Sequence, residues 1–149
     1  MRSTAVKYRN RHLSVAQQAF AIHSLLPDAK VTFKGNDGID IHTVIQPTPM
    51  SRRYAVRIAY RAGGVPDVFV LTELTLHPDA DVLPHTFPGD KLCLHLPGQW
   101  RPDMYLAHTT VPWTSEWLLY YELWLVTGRW DGGGHGEPRN DVLSDEVLA

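Results

Sequence analysis

Residues 54–61 read Tyr-Ala-Val-Arg-Ile-Ala-Tyr-Arg, and no other stretch constrains the fold as tightly. Tyr54, Val56, Ile58 and Tyr60 alternate with Ala55, Arg57, Ala59 and Arg61. A period of two puts the large apolar set on one face of a β-strand and the other set on the opposite face. Such a strand needs neighbours to satisfy its backbone and a cover for its apolar face. The flanking sequence supplies neighbours. Lys30–Lys34 alternates, with Val31 and Phe33 on one side. Gly35-Asn36-Asp37-Gly38 is a hairpin signal, because these residues tolerate positive φ. Ile39, Ile41 and Thr43 then alternate with Asp40 and His42, until Pro47-Thr48-Pro49 breaks the strand. Gly63, Gly64 and Pro66 mark another turn. Residues 68–76 are apolar enough to form a fourth strand buried on much of both faces, ended by His77-Pro78. The spacing predicts a four-stranded antiparallel meander.

Two helices are available to cover it. Ser14 and Gln17 stand at capping-box spacing, which opens a helix over 14–26. Val15, Ala19, Ile22 and Leu26 fall on one face, and Pro27 stops the helix. A second helix runs over 113–127, with Pro112 and Glu116 in or near its first turn and Gly128 as its stop. Trp113, Trp117, Tyr120 and Trp124 form one stripe, while Leu118, Leu119, Leu123 and Leu125 fill much of the rest. A helix apolar nearly all round is expected to be central. Its aromatic stripe reads as core packing. A partner-binding face is the alternative, with Trp100, Trp113 and Trp117 as its residues. The expected architecture is a two-layer α+β domain over residues 1–130. Residues 1–12 read as a basic, solvated arm, and 131–149 as a flexible, glycine-rich tail.

Composition narrows the function. A chain of 149 residues can bury a sufficient core without a disulfide or structural metal. A net charge of −2 gives no basic footprint for nucleic acid. No apolar run is long enough to span a bilayer, and the basic N-terminus lacks the apolar stretch of a secretory signal. A single cysteine allows no internal disulfide and fits a reducing cytoplasm.

The chemistry is concentrated in residues 83–130, which hold Cys93 and all five tryptophans. Residues 79–90 lack periodicity and carry Pro84, His85, Pro88 and Gly89, as functional loops do. Residues 91–96 read as a short extended segment with Cys93 and His95 on the same side. Pro97-Gly98 then turns the chain. A lone cysteine is commonly buried and inert. Here His85 and His95 are near enough in sequence to donate a hydrogen bond or to lower the thiol pKa. Even at about 8.5, a thiol is a few per cent thiolate at neutral pH, enough to attack a reactive thioester.

Residues 89–94, Gly-Asp-Lys-Leu-Cys-Leu, followed by Trp100-Arg101-Pro102, resemble the active-site passage of ubiquitin-conjugating enzymes. The order of helix, four-strand meander, cysteine loop and helix over 14–127 is similar too. The longer string, through WRPDM to VPWTSEWLLYYELWLVTGRW, is most similar to one bacterial branch. These are the stand-alone conjugating-enzyme-like proteins of short, type II CBASS antiphage operons, encoded beside a cGAS-like nucleotidyltransferase. The resemblance implies a ubiquitin-conjugating-enzyme (UBC) fold and thioester transfer without a cofactor. Cys93 would accept the C-terminal carboxylate of the nucleotidyltransferase and pass it to an amine such as a target lysine, priming second-messenger synthesis. The family's His-Pro-Asn is replaced by Leu83-Pro84-His85. His85 lies eight residues before Cys93, where the family's Asn would lie, and takes the role of oxyanion donor, worth about 3 kcal/mol. His95 would tune the thiol, and Asp103 would steer the incoming lysine.

Three other readings compete. A non-catalytic module would only dock the nucleotidyltransferase. A Cys–His hydrolase would pair Cys93 with His85 or His108, but no thiol-protease signature is present. A metal site on Cys93, His85 and His95 lacks the paired-ligand spacings of zinc proteins.

Overall fold

The computed structural model describes residues 12–132. The expected arm and tail therefore lie outside the described residues, apart from His12, Asp131 and Gly132. Helix α1 (Val15–Leu25) is followed by β1 (Lys30–Lys34), β2 (Gly38–Ile45), β3 (Tyr54–Arg61) and β4 (Asp67–Val70). A two-stranded hairpin comes next, β5 (Thr86–Phe87) and β6 (Lys91–Leu92). A 3₁₀ turn (Leu106–His108) leads into α2 (Thr110–Thr127). The class is α+β: a four-stranded antiparallel sheet in the order β1-β2-β3-β4, with two helices. No helix among the described residues is long and apolar enough to cross a membrane.

The alternation that predicts the meander also sets its register. Val31, Ile41, Ile58 and Val68 lie side by side across the four strands. This row belongs to a core that includes Val15, Ala19 and Ile22 of α1, Leu106 of the 3₁₀ turn, and Leu118 and Tyr121 of α2. Both bonds of the capping box at Ser14 and Gln17 are formed. On the outer face of the sheet Arg57 pairs with Asp40 at 3.1 Å and lies over the Phe69 ring.

Two expectations are corrected. The fourth strand stops at Val70, because its pairing with β3 breaks down there. Leu71 and Thr72 both direct their N–H groups to the Ala55 carbonyl, and Thr72 Oγ1 accepts the Ala55 N–H at 2.8 Å. A side chain replaces the ladder carbonyl. The segment that follows is not buried on both faces, and Leu71 and Leu76 are exposed. Helix α2 is likewise not covered all round. Its buried face is Thr110, Val111, Thr114, Trp117, Leu118, Tyr121 and Trp124, whereas Leu123 is exposed and Val126 is 83% exposed. It also begins at Thr110, so Glu116 falls in the second turn. Gly128 is the C-cap, with φ of 75°.

Polar ties hold the helices to what they cover. The Gln18 amide is fully buried; it donates to the Met104 carbonyl at 2.9 Å and accepts from the Leu106 N–H at 2.8 Å. Glu122 accepts from Ser51 Oγ at 2.7 Å and Tyr54 Oη at 2.8 Å, and Tyr121 Oη donates to the Thr75 carbonyl at 2.7 Å. Deleting the Gln18 amide takes this partner from the buried Leu106 N–H and the half-buried Met104 carbonyl. Gln18→Leu is expected to cost about 2–4 kcal/mol in urea denaturation.

Alkali is a second probe of the core. Burial raises the phenol pKa of Tyr54, Tyr60 and Tyr121 above 10.0, with the Glu122 carboxylate adding to the effect at Tyr54. Below pH 10 both folded and unfolded chains keep these protons. Above it the unfolded chain releases protons that the folded chain retains, so stability falls as pH rises. Each phenol contributes up to about 1.4 kcal/mol per pH unit. Urea midpoints measured from about pH 9 to about pH 11 are expected to drop, with a shallower fall in Tyr54→Phe.

Candidate active site around Cys93

Sequence patterning leaves residues 79–90 as loop, but part of it closes into a hairpin. Thr86 pairs with Leu92 and Phe87 with Lys91. Gly89 and Asp90 turn the chain with φ of 83° and 62°, and the Asp90 N–H bonds to the Phe87 carbonyl. Lys91 lies over the Phe87 ring and reaches Asp67 at 3.4 Å, which anchors the hairpin beside β4. The register explains why eight residues separate His85 from Cys93. They are the next facing pair beyond Thr86 and Leu92, and the Cys93 N–H donates to the His85 carbonyl at 3.0 Å.

That carbonyl accepts a second bond, from Trp117 Nε1 of α2, also at 3.0 Å. His85 itself stands in the left-handed region, with φ of 50°. Non-glycine residues hold such a conformation only when their surroundings determine it. Here two hydrogen bonds to its carbonyl and a ring stack do so. The imidazole lies on the indole of Trp130, with centroids 4.9 Å apart and planes 19° apart. Both candidates are nearly enclosed: Cys93 is 4% exposed and His85 6%.

The other candidates are distributed differently. His95 does not continue a strand past Leu92. Its ring tilts against Trp113 at 5.4 Å, and its Nδ1 lies 3.0 Å from the Leu96 carbonyl. It also lines a cavity of about 360 Å³ with Leu92, Leu94 and Trp100, whose lining does not include Cys93. The strand expected over 91–96 is therefore shorter, ending at Leu92. Trp100 and Trp117 were candidates for binding a partner, but they are 5% and 4% exposed. Trp100 donates to the Gly64 carbonyl and meets Tyr60 edge-on, while Trp117 serves the hairpin. Neither indole presents a face to a partner in this structure. Trp113 remains half-buried beside His95. Asp103 is exposed and pairs with Arg101 at 3.2 Å, and His108 packs against Tyr105 away from the hairpin. Among the described residues no group of three His, Cys, Asp or Glu side chains could hold a metal ion. Trp130 is the neighbour of His85 that spacing missed, because a residue two beyond a helix-ending glycine carries no periodic signal.

A sequence model of the family described as Type II CBASS E2 protein matches residues 18–138. The match runs from α1 through the hairpin and α2, and the chain belongs to that family, which places it in CBASS antiphage defence. No curated protein matches the chain.

The junction yields a direct test. Trp117→Phe keeps most of the ring and removes the N–H donated to His85. It is expected to cost about 1–2 kcal/mol in urea denaturation, the range for a lost buried hydrogen bond. Amide exchange at Cys93 is expected to accelerate more than exchange in β3.

Proposed function

We propose that this protein is a thioester-forming transferase with a UBC-like fold, acting in the cytoplasm in CBASS defence. Cys93 accepts the C-terminus of a cGAS-like nucleotidyltransferase and hands it to an amine, such as a target lysine, which primes second-messenger synthesis. The observation that carries this reading is the pairing of Cys93 with His85 at the root of the β5–β6 hairpin. The element order and the single thiol support it as well.

The proposed chemistry uses the pair in two steps. The thiolate attacks the carbonyl carbon of an activated C-terminal acyl group. An S–C bond forms and the activating group leaves with its electron pair. An amine then attacks the thioester carbon, the developing oxyanion is met by a hydrogen bond from His85, and the thiolate departs as the amide forms. The amine's proton passes to solvent. A donor aimed at such an oxyanion is worth about 100-fold to 1000-fold in rate. His95, held on Trp113, would set the electrostatics of the neighbouring segment.

A second reading is favoured by the near-complete enclosure of the thiol. A UBC-like module could dock the nucleotidyltransferase without chemistry, with Cys93 as an ordinary core residue.

Co-expression with the neighbouring nucleotidyltransferase separates them on a non-reducing gel. Transfer predicts a reductant-sensitive band at the summed mass, absent in Cys93→Ala and reductant-resistant in Cys93→Ser. His85→Ala is expected to retain the band and slow its discharge to amines about 100-fold. A complex that survives gel filtration with no such band, and that keeps full defence with Cys93→Ala, would establish docking instead.

A further inference from the structure

The chain does not leave the domain where α2 ends. Gly128 caps the helix in the left-handed region, and its N–H bonds to the Trp124 carbonyl at 2.7 Å. The next residues turn back onto the helix. Trp130 packs against Trp117 at 5.2 Å and Tyr120 at 6.3 Å, and stacks on His85 at 4.9 Å. Its Nε1–H donates to the Gly132 carbonyl at 2.8 Å, which ties the segment into a small loop. Gly132 is buried, and a Cβ there would fall 2.6 Å from two carbons of the Tyr120 ring. Only glycine lets the backbone lie this flat on the helix. Gly132 thus packs on the helix as part of the same segment.

Within this segment Trp130 packs on the residue that faces Cys93. The His85 carbonyl holds the Cys93 amide, and the His85 ring carries the Trp130 indole. The segment's contacts with His85, Trp117 and Tyr120 come from the Trp130 side chain and one glycine, with no strand or helix pairing to hold them. Such contacts break locally, without unfolding the core.

We propose that residues 128–132 form a strap that closes the Cys93 site, with Trp130 as its latch on His85, and that the thiol reacts only when the strap lifts. Taking Cys93 as the reacting group rests on the transfer reading above. Access to the thiol can nevertheless be measured without any transfer.

Cys93 is the only cysteine, so DTNB labelling of the native full chain reports on it alone. Trp130→Ala removes the latch. Gly132→Ala leaves Trp130 and His85 intact but forces the segment off Tyr120. Both are expected to label about tenfold faster than the unaltered protein, the change in open population produced by losing one stacked aromatic pair. Trp130→Phe retains a stacking ring and is expected to label near the original rate. Ile22→Val, which loosens the core beneath α1, is the control for general destabilisation and is expected to leave the rate unchanged.

An unchanged rate in either Trp130→Ala or Gly132→Ala overturns the proposal, as does an equal rise in Ile22→Val. A thioester band with unaltered labelling in the strap variants would sink the strap and keep transfer. Faster labelling in both variants with no thioester band would keep the strap and sink transfer.

Discussion

One backbone carbonyl joins the hairpin that carries the thiol to helix α2. The His85 oxygen takes the N–H of Cys93 from the hairpin and the indole N–H of Trp117 from α2. A carbonyl has two lone pairs, and both are used by buried donors, where an unmet group would be costly. The consequence is geometric. The hairpin has only two residue pairs of its own and would be marginal in water. Fixed to a long helix through His85, it becomes a rigid shelf for the thiol. The left-handed backbone at His85 is sustained by the same contacts.

Around that junction the fold is assembled by a few long-range polar ties laid over ordinary apolar burial. Gln18 fastens the approach to the 3₁₀ turn onto α1, and Glu122 fastens the β2–β3 loop and Tyr54 onto α2. Such side chains do little to drive collapse. They decide where an irregular segment lies once collapse has occurred, because a buried amide or carboxylate must find its partners. Residues 71–76 and 99–105 have no regular structure, yet both are held this way, through Thr72 and Tyr121 on one side and Gln18 and Trp100 on the other.

The thiol's environment reconciles membership in an E2-like family with a cysteine that is almost fully enclosed. An acyl group attached to a protein chain cannot reach a covered sulfur. Either the residues around the sulfur move, or the cysteine is not used. Trp130 stands between these alternatives, since its ring rests on the residue facing the thiol.

Much of the scaffold was legible in the sequence. The period-two runs marked β1 and β3 at their observed limits, and the capping box marked the start of α1. These are local signals, set by which side chains a pleated or helical backbone sends to one face. Cys93 and His85 were also named by spacing and resemblance, but not the hairpin that pairs them. The end of β4 depended on the Thr72 hydroxyl entering the ladder, and the burial of Trp100 and Trp117 depended on carbonyls 36 and 32 residues away. The position of Trp130 depended on a glycine meeting a tyrosine ring twelve residues earlier in the chain. Local patterning determined the four strands of the sheet and the two helices, but neither the β5–β6 hairpin nor the end of β4. Where their side chains found hydrogen-bond and stacking partners was decided only by tertiary contact, because those partners lie far apart along the chain and have no period to betray them.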